Sequence, residues 1–129
     1  MSQKITKTFT SSLDQLHPLL IYISNVNGSE KMLKQLQLAV EEAFINIISY
    51  AYNKKPLPVI VEVSCDGKIV EITLIDEGPY FNLLEYPITE SKKNGEGGAG
   101  IILIRNLIDE IIYHRIDDKN YLIFRKKIY

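Results

Sequence analysis

Residues 36–52, LQLAVEEAFINIISYAY, set Leu36, Val40, Ala43, Phe44, Ile47, Ile48 and Ala51 at three- and four-residue spacing. That is the period of a helix with one buried face. Upstream, Ser29 caps this helix with Glu30 in its first turn, so the pattern predicts a helix over 29–52. Asn53 and Lys54 end it, and Pro56 and Pro58 block its continuation. Residues 4–9 alternate Ile5, Lys7 and Phe9 against Lys4, Thr6 and Thr8, an edge strand. Ser11 and Ser12 then cap a helix running to about Val26, with Pro18 near its first turns and Asn27-Gly28 as the stop. Two strand-like runs, 59–64 and 68–75, flank Asp66-Gly67, a hairpin signal. Residues 80–98 show no period and form a long loop of the kind that is functional or disordered. Helical spacing returns over 100–109, and strands over 110–116 and 121–127 close the chain, turned at residues 117–120.

The order β, α, α, β, β, loop, α, β, β groups helices beside sequential antiparallel strands. It predicts an α+β fold, a two-layer α/β sandwich whose mixed, mostly antiparallel sheet carries its helices on one face. The 129 residues form a single domain, 1–129, able to bury a real core. Fifteen basic against sixteen acidic residues leave a net charge of -1, so no basic field draws nucleic acid. Arg125 to Lys127 is a local basic patch that a surface strand end explains. Cys65 has no partner for an internal disulfide and reads as a small core hydrophobe. No stretch reaches bilayer length and the first residues hold no apolar signal core, so no membrane partner and a cytoplasmic location are expected.

Three stretches carry candidate chemistry. Glu42 and Asn46, four apart, share one side of the long helix within its apolar stretch. A carboxylate and a carboxamide beside a buried stripe cost desolvation free energy unless something satisfies them. Taken alone, they could equally be a solvated stripe or a local hydrogen bond. Asp76 follows a strand, so its carboxylate emerges at a sheet end, and Gly78 permits a backbone turn and close approach of a flat ligand. Gly95, Gly97, Gly98 and Gly100 lead into a helix, whose N-terminal N–H groups and dipole favour phosphate. On its own GEGGAG could be a flexible turn, since it matches neither the P-loop nor the dinucleotide spacing. In this order the three make a nucleotide site.

The combination AVEEAFINIISYAY, IDEGPYF and GEGGAGIILIRNLID resembles the ATP-binding fold shared by gyrase, the large heat-shock chaperone, sensor histidine kinases and the mismatch-repair ATPase. Within it the chain looks most like the anti-sigma factor serine/threonine kinases, along nearly its whole length. The resemblance implies ATP or ADP as cofactor with Mg²⁺. It implies Asn46 as metal ligand, Glu42 as general base and Asp76 as acceptor of the adenine amino group, with Gly78 beside it. Gly95, Gly97, Gly98 and Gly100 would then serve the phosphates. Tyr50, Ala99 and Ile101 depart from the family pattern at packing positions, away from these proposed ligands.

By this resemblance the chain is a protein serine kinase that sequesters a sigma factor and phosphorylates an anti-anti-sigma antagonist on serine, with a homodimer left open. The alternative is a nucleotide-binding regulatory module that holds a partner without phosphotransfer. Glu42 favours the kinase, because binding alone needs no base. A detached sensor-kinase domain is disfavoured by the N-terminal strand and helix. Lys92, Lys93 and Arg105 could reach phosphate or be solvated. His17 and His114 read as ordinary histidines.

Overall fold

The computed structural model of the chain describes residues 3–51, 55–86 and 99–128. Five strands, β1 (Gln3–Thr10), β2 (Pro58–Cys65), β3 (Ile69–Asp76), β4 (Glu110–Ile116) and β5 (Lys119–Lys127), form one sheet in the order β1-β2-β3-β5-β4. All four strand pairs are antiparallel, so the mixed component expected of the sheet is not found among the described residues. The reason is topological. β2 and β3 form a hairpin, as do β4 and β5, and β1 reaches β2 antiparallel after two helices. β1 is an edge strand, as its alternation predicts.

The helices are α1 (Leu16–Ile23), α2 (Glu30–Asn46) and α3 (Ala99–Leu107). The α2 helix lies between the other two and packs on both. Its buried residues Met32, Leu36, Ala39, Val40, Ala43 and Phe44 meet Val59, Val61, Val63, Ile72, Leu74, Leu122 and Phe124 from alternate positions of the central strands. Burying each of the larger of these side chains contributes about 1.5–3 kcal/mol, and the two alanines less. Ile101 and Ile104 of α3 and Leu19 and Ile23 of α1 complete the core.

Ser29 caps α2 as predicted: its hydroxyl accepts from the Met32 amide at 3.1 Å, worth about 1 kcal/mol. The helix does not stay α-helical to residue 52. It ends at Asn46 and continues as one π turn, Ile47–Ala51. Ile47 and Ile48 in this turn are both buried, and such turns recur at functional sites.

The first helix also starts differently from the expectation. A 3₁₀ turn at Leu13–Gln15 precedes α1, Pro18 falls in the first turn of α1, and the helix stops at Ile23. Ser11 caps nothing. Its hydroxyl donates to the Lys55 carbonyl and accepts from the Leu57 amide, both at 2.9 Å, tying the chain before β2 to the end of β1.

The two hairpins turn tightly. Asp66 Oδ1 accepts from the amides of Lys68 and Ile69 at 2.9 Å, and Gly67 has φ 90°, which glycine adopts without strain. Asp117 and Asp118 both have positive φ, 50° and 62°, the two-residue turn whose twist matches a hairpin. The turn is therefore shorter than the four residues expected, and Lys119 and Asn120 belong to β5. Cys65 is half-buried, packs against the core and forms no disulfide. Both histidines are exposed. Among the described residues no helix is long and apolar enough to cross a membrane.

Candidate functional site

Asp76 is the last residue of β3, and it is buried. Strand register places it opposite Asn120 of β5, and the two side chains join: Asn120 Nδ2 donates to Asp76 Oδ1 at 2.9 Å. The Gly78 amide donates to the same oxygen at 2.9 Å. Gly78 is buried but not in the left-handed region, so it serves here by its N–H and C=O rather than by unusual backbone angles. Its carbonyl accepts from Arg115 Nη1 at 2.6 Å. Burial pushes the Asp76 carboxyl above the ordinary aspartate range, while the hydrogen bonds from Asn120 and Gly78 and the Arg115 charge oppose that rise.

Asn46 reaches the same place from α2. A cavity of about 20 Å³ is lined by Asn46, Ile47, Asp76, Phe81, Tyr113 and Asn120, among others. It holds about one water and no larger group. Asn46 is buried, and among the described residues its Nδ2 has no hydrogen-bond partner. An orphaned amide of this kind costs about 1–3 kcal/mol, which a bound group would recover.

Glu42 lies one turn earlier and half-buried. Its Oε2 comes within 2.5 Å of where a Cβ on Gly100 would stand, so the missing side chain at Gly100 is what admits the carboxylate to the start of α3. Helix N-termini favour negative charge. Desolvation by burial, then the charge of Glu41, hold the Glu42 carboxyl above the usual glutamate range.

The structure thus gathers Asn46 with Asp76 and Gly78, and Glu42 with Gly100. Gly95, Gly97 and Gly98, like Lys92 and Lys93, lie outside the described residues. A roomier hollow of about 550 Å³ lies among Ile5, Asn25 to Ser29, Val63, Cys65, Gly67 and Ile128. It contains none of the candidate residues.

The profile of the histidine kinase-like ATPase domain matches residues 9–126. The chain belongs to this family. Two anti-sigma F factors are similar to it. One, from Geobacillus stearothermophilus, is 26% identical over 113 residues, covering 84% of this chain and 77% of the relative. The other, from Geobacillus kaustophilus, is 25% identical over 111 residues, covering 82% and 76%. The crystal structure of the RsbU and RsbW domains of a Mycobacterium tuberculosis protein superposes with a TM-score of 0.66 at 11% identity. That match covers 98% of this chain and 32% of the larger protein. The resemblance read from the sequence and the α+β sandwich with histidine-kinase-like ATPase topology are both borne out.

A histidine kinase-like ATPase domain is an ATP-binding domain by family, and in this chain Asp76 and Asn46 line one cavity. Asn46 fits a role toward Mg²⁺ or phosphate: turning the amide by 180° offers either an oxygen to a cation or an NH₂ to an anion, and among the described residues no group competes for the orphaned atom.

The sequence reading missed Asn120, Arg115 and Tyr113. Asn120 Oδ1 accepts from Tyr113 Oη and from Arg115 Nη1 at 3.1 Å. The available signal was Asp117-Asp118, since aspartate tolerates positive φ and a two-residue turn moves Asn120 into the strand. Arg105 also finds its place: Nη2 donates to the Leu83 and Leu84 carbonyls, each at 2.8 Å, pinning the 3₁₀ turn Leu83–Glu85 to α3.

Proposed function

We propose that the chain is an ATP-dependent anti-sigma factor kinase, holding a sigma factor and phosphorylating an anti-anti-sigma antagonist on serine. Support comes from the family match, from the relatives named anti-sigma F factor, and above all from one observation. Asp76, buried at a strand end with Oδ1 already engaged, shares a cavity with an unsatisfied Asn46. Among the described residues those hydrogen bonds leave Asp76 Oδ2 and Asn46 Nδ2 unused, and a nucleotide satisfies both. The base amino group donates to Asp76 Oδ2, and Asn46 turns to the metal–phosphate end.

At about 20 Å³ the cavity is closed to a purine, so the base enters as the Phe81 and Leu83 wall shifts. Mg²⁺, held by Asn46 with water and phosphate oxygens, would supply charge neutralisation on the phosphates. Glu42 takes the proton from the serine hydroxyl or orients it, and its raised pKa strengthens it as a base near neutral pH. By the sequence resemblance Gly95, Gly97, Gly98 and Gly100 would serve the phosphates. The protein acts in the cytoplasm, and a second copy is its remaining candidate partner.

Isothermal calorimetry of ADP binding tests the site. Asp76→Asn should weaken binding about tenfold or more, since a hydrogen bond to a charged acceptor is worth about 1.5–3 kcal/mol. Equal affinity for parent and variant would remove Asp76 from base recognition. The alternative, a nucleotide-binding regulatory module without phosphotransfer, uses the same site and leaves Glu42 without a task.

A further inference from the structure

Asn120 is saturated on every side. Its Nδ2 donates to Asp76 Oδ1 at 2.9 Å and to the Pro79 carbonyl at 2.8 Å. Its Oδ1 accepts from Tyr113 Oη, from Arg115 Nη1 at 3.1 Å and from the Phe81 amide at 3.5 Å. The amide has one workable orientation. Turned over, its oxygen would face a carboxylate and a carbonyl, and its NH₂ would face the Arg115 and Phe81 donors.

That orientation dictates the state of Asp76. Oδ1 receives two N–H groups, from Asn120 and Gly78, and acts only as an acceptor. Among the described residues Oδ2 is the oxygen left for an incoming group. While the carboxyl is ionised, Oδ2 too can only accept, so a ligand must bring a donor to it. Burial alone would favour protonation, which would make Oδ2 a donor and reverse the preference. The Asn120 and Gly78 hydrogen bonds, with Arg115 nearby, favour the ionised form and so oppose the rise that burial imposes.

Resting on the nucleotide reading above, we propose that Asn120 is a positioning residue that reserves Asp76 Oδ2 for an amino group. It thereby makes the site select an amino-bearing purine nucleotide over its keto counterpart. Arg115 secures this arrangement from both ends, through Asn120 Oδ1 and the Gly78 carbonyl. A keto oxygen at the same position would face Oδ2 as acceptor against acceptor, and unpaired polar groups of this kind are what discriminate strongly between ligands.

The test compares ADP with inosine diphosphate, which carries a keto oxygen in place of the amino group, by calorimetry at pH 7. The parent is expected to prefer ADP by about tenfold or more, the scale of one charge-assisted hydrogen bond. Asn120→Asp keeps the shape and replaces the NH₂ donor with an oxygen, so two carboxyls share a proton and can donate to a keto group. The expected result is a preference reduced to about threefold or less, read as a ratio rather than as a loss of affinity.

If both affinities fall together and the ratio holds, Asn120 is only structural and the proposal is overturned. A parent that binds both nucleotides equally overturns it too, with the nucleotide site intact. A parent that binds neither overturns the nucleotide reading itself. Circular dichroism checks the fold of the variant. If Asn120→Asp does not fold, Arg115→Met carries the test, because Asp76 and Asn120 both remain. The ratio should drop at least about threefold, and an unchanged ratio overturns the proposal.

Discussion

The carboxylate of Glu42 occupies the space that a side chain on residue 100 would need. A Cβ built on Gly100 would meet Glu42 Oε2 at 2.5 Å, its Cδ at 3.3 Å and its Cβ at 3.8 Å. The closest atom is the far end of a flexible side chain, so the fold can yield by moving Glu42. Gly100→Ala should therefore change the melting temperature by no more than a few degrees, and alanine suits a helix better than glycine. Phosphate transfer should fall about tenfold or more, while ATP affinity changes less, because a misplaced base slows the reaction without removing binding. Transfer at the parent rate would show that the position of Glu42 does not matter to catalysis.

Asn46 separates function from stability. Among the described residues its buried Nδ2 has no partner, so that half of the amide adds no hydrogen bond to the apo fold. Asn46→Ala removes an unsatisfied group at the expense of a small void, and these should cancel to within about 1 kcal/mol. Mg²⁺-ATP binding and phosphate transfer should both weaken. Paired thermal melts and nucleotide titrations check this. A large drop in apo melting temperature with normal ATP binding would make Asn46 a structural residue.

The pH profile follows from Glu42. Its pKa lies above the ordinary glutamate value because burial, and then Glu41, disfavour the charged form. A general base works only when ionised. Transfer should therefore rise with pH through that raised pKa and then level off. In Gly100→Ala, where the carboxylate is pushed off its place by the start of α3, the rising limb should move. The same limb in Glu42→Gln would assign it to another group.

Helical periodicity in the sequence named the buried face of α2, and the two polar residues on it, because burial repeats every three to four residues regardless of tertiary detail. Asp76 was legible for a related reason, since a charged residue closing an apolar strand run has only a sheet end to go to. Asn120 was not. Its role depends on register, and register depends on whether residues 117–120 turn in two residues or four. Arg105 was undecided because its partners are backbone carbonyls 21 and 22 residues away, which leave no trace in side-chain pattern. The π turn after Asn46 has no marker in IISYA that we can identify. The all-antiparallel sheet follows from hairpin lengths that pattern alone left loose.

The central claim is a phosphotransferase in which Asp76 and Asn46 hold the nucleotide and Glu42 acts on the acceptor. The most direct measurement is transfer of labelled γ-phosphate from ATP to the cognate serine-bearing antagonist, by parent and Glu42→Gln, with ATP affinity measured alongside. The parent should phosphorylate the serine. Glu42→Gln should bind ATP as the parent does and transfer roughly 10²–10⁴-fold more slowly. Transfer by Glu42→Gln at the parent rate, or none by the parent to its genuine partner, would contradict the account.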